Sequence, residues 1–423
     1  MELIGKGGFE KGTLHVALRV PDGYVAAHAN QARITTFLPC SDASKCKASP
    51  DVVSFAIKRG YWKGSVDDPA FSFSDIYDPV TFSGARFCEA RVWHIFRALA
   101  DPDHFDAGLY IDYARGWNLT LRMPLFIKPT KKIARDELHG LMSQHFQGTW
   151  FDPAVDVGAG AELSPYRWNG LEWSSGGQSY VNERIVGTHY TAWHFVAQIR
   201  PPPFPKQMAA LLHWGADDHS WAPKIPIHGG ASKVHPSYDD YNCTGRDPCR
   251  AAAGLPGTIK NFSFDSAWWL NTIVADQVYS RKERAAPRVQ SARAALESKL
   301  DSMCADAEAE ATPHYASGDL AAGQAVLNSY AVAAGGTATA TWKQLWQELL
   351  VTFVDGKVTT DDPKNEVCGC SKKSATFGVD WKAKVVKDAG NHYKVPSTVA
   401  LPYKPHGKPS RDKLTIRGVT GGA

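Results

Sequence analysis

The pattern that most constrains this chain lies at its very start. Thr13-Leu14-His15-Val16-Ala17-Leu18-Arg19-Val20 alternates, Pro21-Asp22-Gly23 turns, and Tyr24-Val25-Ala26-Ala27-His28-Ala29 follows. That combination predicts a hairpin. Two strands alone are marginally stable in water, so a terminal hairpin holds only by joining a sheet whose other strands come from elsewhere. The fold is therefore expected to pair sequence-distant strands.

Further along, helical and extended patterns mix. Gly84 to Ala100 reads as a helix carrying Val92, Trp93, Phe96 and Leu99. Residues 131–147 read as another, because Leu138, Leu141, Met142 and His145 recur at helical spacing and Gly148 stops them. Residues 149–180 read as loop. Thr188 to Ile199 and Met208 to Trp214 read as strands, with Pro201-Pro202-Pro203 forcing an extended connection. Helices are expected over 265–282, 286–311 and 341–354, the last with Trp342, Leu345, Trp346, Leu349 and Leu350 on one stripe. Beyond Asp355-Gly356 the pattern fades into Lys, Gly, Pro and Ser, as in a solvated tail. The class is layered α/β or α+β.

With 423 residues, 43% of them hydrophobic and 21% charged, the chain has the composition of an ordinary globular protein. A net charge of +4 is weak, and basic residues collect only near the end, around Lys372-Lys373, Lys382, Lys384 and Lys387. Nucleic-acid binding needs a concentrated basic face, so no nucleic-acid partner is expected. No apolar run approaches the ~18 residues of a membrane span. Among eight cysteines, Cys40/Cys46 and Cys243/Cys249 form Cys-x5-Cys loops and Cys368-Gly369-Cys370 a third cluster. Zinc sites favour Cys-x2-Cys pairs, so disulfides are expected. Sequons at Asn118, Asn242 and Asn261 agree with an oxidising lumen or the cell exterior. The expected location is secreted or lysosomal/vacuolar, although residues 1–20 show no secretory signal.

Six blocks carry a family resemblance. They are Arg19-Val20-Pro21-Asp22-Gly23-Tyr24 leading to His28-Ala29-Asn30-Gln31-Ala32-Arg33-Ile34; His145-Phe146-Gln147-Gly148-Thr149-Trp150-Phe151-Asp152; Ser164-Pro165-Tyr166-Arg167-Trp168; Val181-Asn182-Glu183-Arg184; Trp214-Gly215-Ala216-Asp217-Asp218; and Phe264-Asp265-Ser266-Ala267-Trp268-Trp269. In order and spacing they resemble the N-terminal-cysteine dipeptidases, the dipeptidase A and secernin relatives among amino-terminal-nucleophile hydrolases. The likeness covers residues 2–300, more faintly to 355. It implies an α+β fold, an αββα sandwich incomplete at the N-terminus with extra C-terminal helices. Residues 1–282 are then a partial sandwich, 283–355 a helical part of the same unit, and 356–423 a tail.

The resemblance also implies a cysteine-type dipeptidase acting on dipeptides or small peptides without metal or organic cofactor. In that family a mature N-terminal Cys supplies the attacking thiol and its α-amine the base. The chain opens Met1-Glu2-Leu3-Ile4, so the expectation is a fragment lacking its nucleophile segment. Asn30 matches an oxyanion-hole amide, a donor aimed at charge that appears only in the tetrahedral intermediate. Arg184 matches an arginine that would favour thiolate or hold a substrate carboxylate. Asp217 or Asp218 could anchor the substrate's free amine, an assignment from chemistry rather than motif. A homo-oligomer is compatible with the resemblance. The second reading is a non-catalytic, secernin-like binding or scaffold protein.

Competing chemistries find less support. His213-Trp214-Gly215-Ala216-Asp217-Asp218-His219 has metal-ligand types, but its glycine interrupts any helical spacing. The Cys-Gly-Ser-Cys-Trp signature of papain-like enzymes and the Gly-x-Ser-x-Gly elbow are absent, and Cys88 reads as a small buried apolar residue. No Gly-x-Gly-x-x-Gly or phosphate-cradling Gly-Lys-Ser/Thr loop points to a nucleotide.

Overall fold

Strand β2 (Leu14–Leu18) is the middle of a three-stranded antiparallel sheet, flanked by β1 (Glu2–Ile4) and β3 (Cys46–Ala48). The computed structural model describes residues 2–4, 14–166, 172–238, 262–374 and 377–396. The expected hairpin over 13–29 does not form. Val25 instead bridges Ile127 through backbone bonds of 2.9 and 3.0 Å. Residues 26–29 are mostly alanine and bring little bulk to a pleated surface. Val16 of β2 packs with Ile34, Phe37, Val52, Phe71 and Phe73 instead. The disulfide between Cys40 and Cys46 turns the chain back so that β3 can lie beside β2. The expectation of sequence-distant strand partners is not met in this sheet, whose three strands are consecutive in the chain; the long-range pairing at Val25 is an isolated bridge.

Short helices follow: α1 (Val52–Lys58), α2 (Phe73–Tyr77) and α3 (Phe82–Gly84), the last running through a π-turn (Ala85–Glu89) into α4 (Ala90–Leu99). Together α3, the π-turn and α4 make the helix expected over 84–100, with Val92, Trp93 and Phe96 inside. After α5 (Ile111–Ala114), helix α6 (Arg135–Met142) is shorter than the expected 131–147. The Glu137 carboxylate accepts the Ala134 N–H at 2.9 Å and fixes the start, and Phe146 at φ 63° lies outside any right-handed helix. Within the expected loop, β4 (Glu172–Ser175) and β5 (Gln178–Val181) form a hairpin. Gly176 and Gly177, both at positive φ, make its tight turn rather than a flexible stretch.

The second three-stranded sheet has order β6 (Trp193–Ile199), β7 (Ala210–Ala216), β8 (Ile225–His228), all antiparallel, with α7 (Lys206–Ala209) leading into β7. Three helices follow: α8 (Ala267–Ser280), α9 (Lys282–Ala316) and α10 (Leu320–Thr352). The last is far longer than the expected 341–354. Its first half is rich in Ala and Gly, which leave little apolar stripe to read. Those small residues permit close approach: a Cβ on Gly323 would lie 2.6 Å from the Tyr315 ring of α9. One core unites Trp93 and Phe96 of α4, Leu211 of β7, Ile225 of β8, Leu270 of α8, Leu300 of α9 and Trp342 of α10. The class is α+β.

The expected tail is partly ordered. Strands β9 (Lys357–Asp361) and β10 (Cys370–Ser374) pair antiparallel, and Val358 packs on the core. Cys368 and Cys370 are disulfide-bonded. The hairpin belongs to a compact unit of residues 1–375; a second unit, 376–423, contains α11 (Val379–Ala389). Among the described residues no helix is long and apolar enough to cross a membrane. Asn118 is exposed, with its Oδ1 accepting the Thr120 hydroxyl at 2.7 Å. Cys243, Cys249, Asn242 and Asn261 lie outside the described residues.

Candidate active site

Asn30 sits at the exposed head of a segment that side chains, rather than a sheet, hold in place. The Ala32 N–H donates to Asp78 Oδ2 at 2.8 Å, and the Phe73 and Ser74 N–H groups donate to the Thr35 and Ile34 carbonyls at 2.9 Å. Beneath it, Arg33 reaches the Glu89 carboxylate at 3.2 Å; both side chains are almost wholly buried. Arg33 also donates to the carbonyls of Ala27 and Pro124 and lies over the Phe96 ring. A buried charge pair is tolerable only with its hydrogen bonds filled, and losing one member typically costs about 3–5 kcal/mol. Arg33 thus fixes where Asn30 stands.

The side chain of Asn30 is oriented by Arg91 of α4. The Arg91 Nη2 donates to Asn30 Oδ1 at 2.7 Å, and its Nε donates to the Phe87 carbonyl at 2.6 Å. The amide oxygen is occupied, which leaves the NH2 of this exposed residue as its available donor. The π-turn beneath makes this possible: Ala90 N–H bonds back to Ala85, a wider loop than an α-turn, and such turns recur at functional sites. The Cys88 thiol bonds Arg91 in the same place. Burial lowers the Arg91 pKa, and the nearby Arg184 charge lowers it further. Arg184 itself lies over the rings of Phe87 and Tyr190, at 5.6 and 5.7 Å. Among the described residues, neither Arg91 nor Arg184 has a carboxylate partner. On the same segment the Asn182 amide is buried with neither its oxygen nor its nitrogen bonded.

Asn30 and Arg184 are thus brought together, with Arg91 between them. Asp217 and Asp218 are set back. Aromatic contacts run from Tyr190 through His189 to Tyr279, whose hydroxyl donates to Asp218 Oδ2 at 2.8 Å. Asp218 Oδ1 accepts the Ser220 N–H at 2.8 Å, and the residue is fully buried. Burial pushes Asp218 up to about 6; burial and the Asp218 charge push Asp217 up to about 7. Beside them, a polar cavity of about 460 Å³ is lined by Gln144, His145, Gln147, Ser220, Lys282 and Arg293.

Behind the cavity lies a layer of neutral imidazoles. His139 pairs with His213 at 6.0 Å between rings, and His194 with His219 at 5.6 Å. Burial and the Lys224 ammonium hold His139 and His194 down to about 3. His213 and His219 stand in separate pairs. Among the described residues neither belongs to a set of donors within ligand reach of one another.

Sequence reasoning missed Arg91 and gave Asn182 no role of its own, while its reading of Cys88 as a small buried residue holds. Arg91 sits in an ordinary helical pattern, and only the π-turn, invisible in sequence, aims it at Asn30.

An amide beside two guanidiniums, on an α+β scaffold, is an arrangement suited to negative charge. The family model of peptidase family C69 matches residues 1–294, and the chain belongs to that family. A protein named probable dipeptidase from Salmonella dublin is 30% identical over 149 residues, covering 34% of this chain and 31% of that protein. The chain therefore matches about a third of the length of this curated relative.

Proposed function

We propose that this chain is the body of a cysteine-type dipeptidase of amino-terminal-nucleophile architecture. The observation that carries the reading is the convergence of the Asn30 amide with Arg91 and Arg184, two cations that have no acidic partner among the described residues. In this reading an amino-terminal cysteine, on a segment preceding β1, seats against Asn30. Its thiolate attacks the peptide carbonyl, its α-amine carries the proton to the leaving amine, and water then cleaves the thioester. Asn30 donates to the oxyanion, while Arg91 and Arg184 favour the thiolate or grip the substrate carboxylate. The free cysteines described here do not fit the nucleophile role. Burial pushes Cys304 up to about 12, and Cys88 is buried within the π-turn.

Family membership and the dipeptidase-named relative support hydrolysis of peptides. The αββα sandwich and a lumenal location belong to the same proposal, the latter supported by the Cys40–Cys46 disulfide. The test uses the native protein purified from its source, with intact mass, N-terminal sequencing and a dipeptide panel assayed before and after thiol alkylation. Hydrolysis by a chain that starts with cysteine, abolished by alkylation, is the expected result. Hydrolysis that survives alkylation, or none from a cysteine-initiated chain, overturns the reading.

A further inference from the structure

Away from that site, three potential ligands meet between the second sheet and the long helices. His228 ends β8, and Cys304 and Glu308 stand one turn apart on α9. His228 Nε2 and Glu308 Oε1 are 2.7 Å apart, and Cys304 Sγ lies 3.8 Å from each. His228 and Cys304 are buried; the Glu308 side chain is 19% exposed.

We propose that His228, Cys304 and Glu308 form a binding site for a zinc-class divalent cation. The donor types are the first argument. An imidazole, a thiol and a carboxylate are the set that borderline cations prefer, and three protein ligands leave a fourth position for water. Geometry is the second. With Zn–S near 2.3 Å and Zn–N and Zn–O near 2.1 Å, tetrahedral ligation separates sulfur from the other donors by about 3.6 Å and nitrogen from oxygen by about 3.4 Å. The observed triangle therefore needs its sulfur edges to shorten by roughly 0.2 Å and its N–O edge to open by roughly 0.7 Å. Small rotations of the Cys304 and Glu308 side chains supply that.

The surrounding bonds are the third argument. Arg200 donates to Oε1 at 2.6 Å and fixes the carboxylate from outside, as outer-shell partners do. His228 Nδ1 is buried without a partner, so moving the ring proton from Nε2 to Nδ1 costs no hydrogen bond at Nδ1. Binding converts the Cys304 thiol to thiolate and releases that proton to solvent. Affinity should thus rise about tenfold per pH unit below the thiol pKa.

The experiment is a Co2+ titration of chelator-treated protein, without reductant so that the disulfides contribute no thiolate. One Co2+ per chain should bind with a thiolate-to-cobalt charge-transfer band, and Zn2+ should displace it. Cys304→Ser should abolish the band. Glu308→Gln should weaken binding by more than the roughly 10–100-fold that loss of an outer-shell partner costs. Absence of the band in the unaltered protein, or its persistence in Cys304→Ser, overturns the proposal. If Cys304→Ser does not fold, His228→Gln decides by the same readout. None of these outcomes depends on peptidase activity.

Discussion

Asn30 carries the sharpest prediction at the residue scale. Its Oδ1 is taken by Arg91, so replacing the amide removes a donor and leaves the scaffold of Arg33 and Glu89 intact. In the mature enzyme Asn30→Ala should lower kcat by about 10²–10³ with little change in KM, measured by steady-state dipeptide hydrolysis. Asn182 makes a complementary case. A buried amide without hydrogen bonds costs roughly 1–3 kcal/mol, so Asn182→Leu should leave the melting temperature unchanged or raised while turnover falls. A fall in both would mark Asn182 as structural. At this scale the sequence named Asn30 and Arg184 because the resemblance supplied them. Arg91 had no such signal, since its role depends on one widened helical turn.

At the scale of elements, the α9–α10 hairpin depends on small residues at its crossing. Helix propensity alone favours Gly323→Ala by up to about 1 kcal/mol. The new Cβ would lie 2.6 Å from the Tyr315 ring, and overpacking of this kind costs about 1–3 kcal/mol. Packing wins, and chemical denaturation should show Gly323→Ala less stable by about 1 kcal/mol. The same chemistry explains which elements were legible. Helix 84–100 announced itself through Val92, Trp93 and Phe96, large side chains on one face. The first half of α10 did not, because Ala331, Ala334 and Gly335 are buried without bulk. The β4–β5 hairpin was hidden for another reason: its strands are four residues long and largely exposed.

For the whole molecule, the buried imidazoles set the response to acid. His139, His145 and His194 are held down to about 3 and His213 to about 4, chiefly by burial. Unfolded, each titrates near 6.5. Their contribution is complete above that value and is lost as pH falls toward the folded pKa. Asp217 and Asp218 act oppositely, since their raised values favour the folded state at low pH and lose that advantage as pH rises toward 7. These four outweigh the two acids, and His219, held well below its ordinary value, acts with them, so stability should fall between pH 6 and pH 4 by roughly 3 kcal/mol per pH unit or more. Melting temperatures across that window check the sign, and Asp217→Asn should steepen the loss. Of this scale the sequence disclosed the α+β class, while the expected distant strand partners gave way to sheets of consecutive strands among the described residues. Packing that neutralises these titratable groups has no local signature.

The shared core also dictates an order of events during synthesis. Trp93 and Phe96 leave the ribosome long before Leu300 and Trp342, which belong to the same core. Translation at about 5–20 residues per second separates those moments by some tens of seconds or less. During that interval α4 has Phe105 and Phe151 to pack on, but the shared core still lacks the side chains that α9 and α10 bring to it. A stall or nonsense codon within α10 would release a polypeptide with Asn30 and Arg184 already made and the core behind them open, destined for aggregation or degradation.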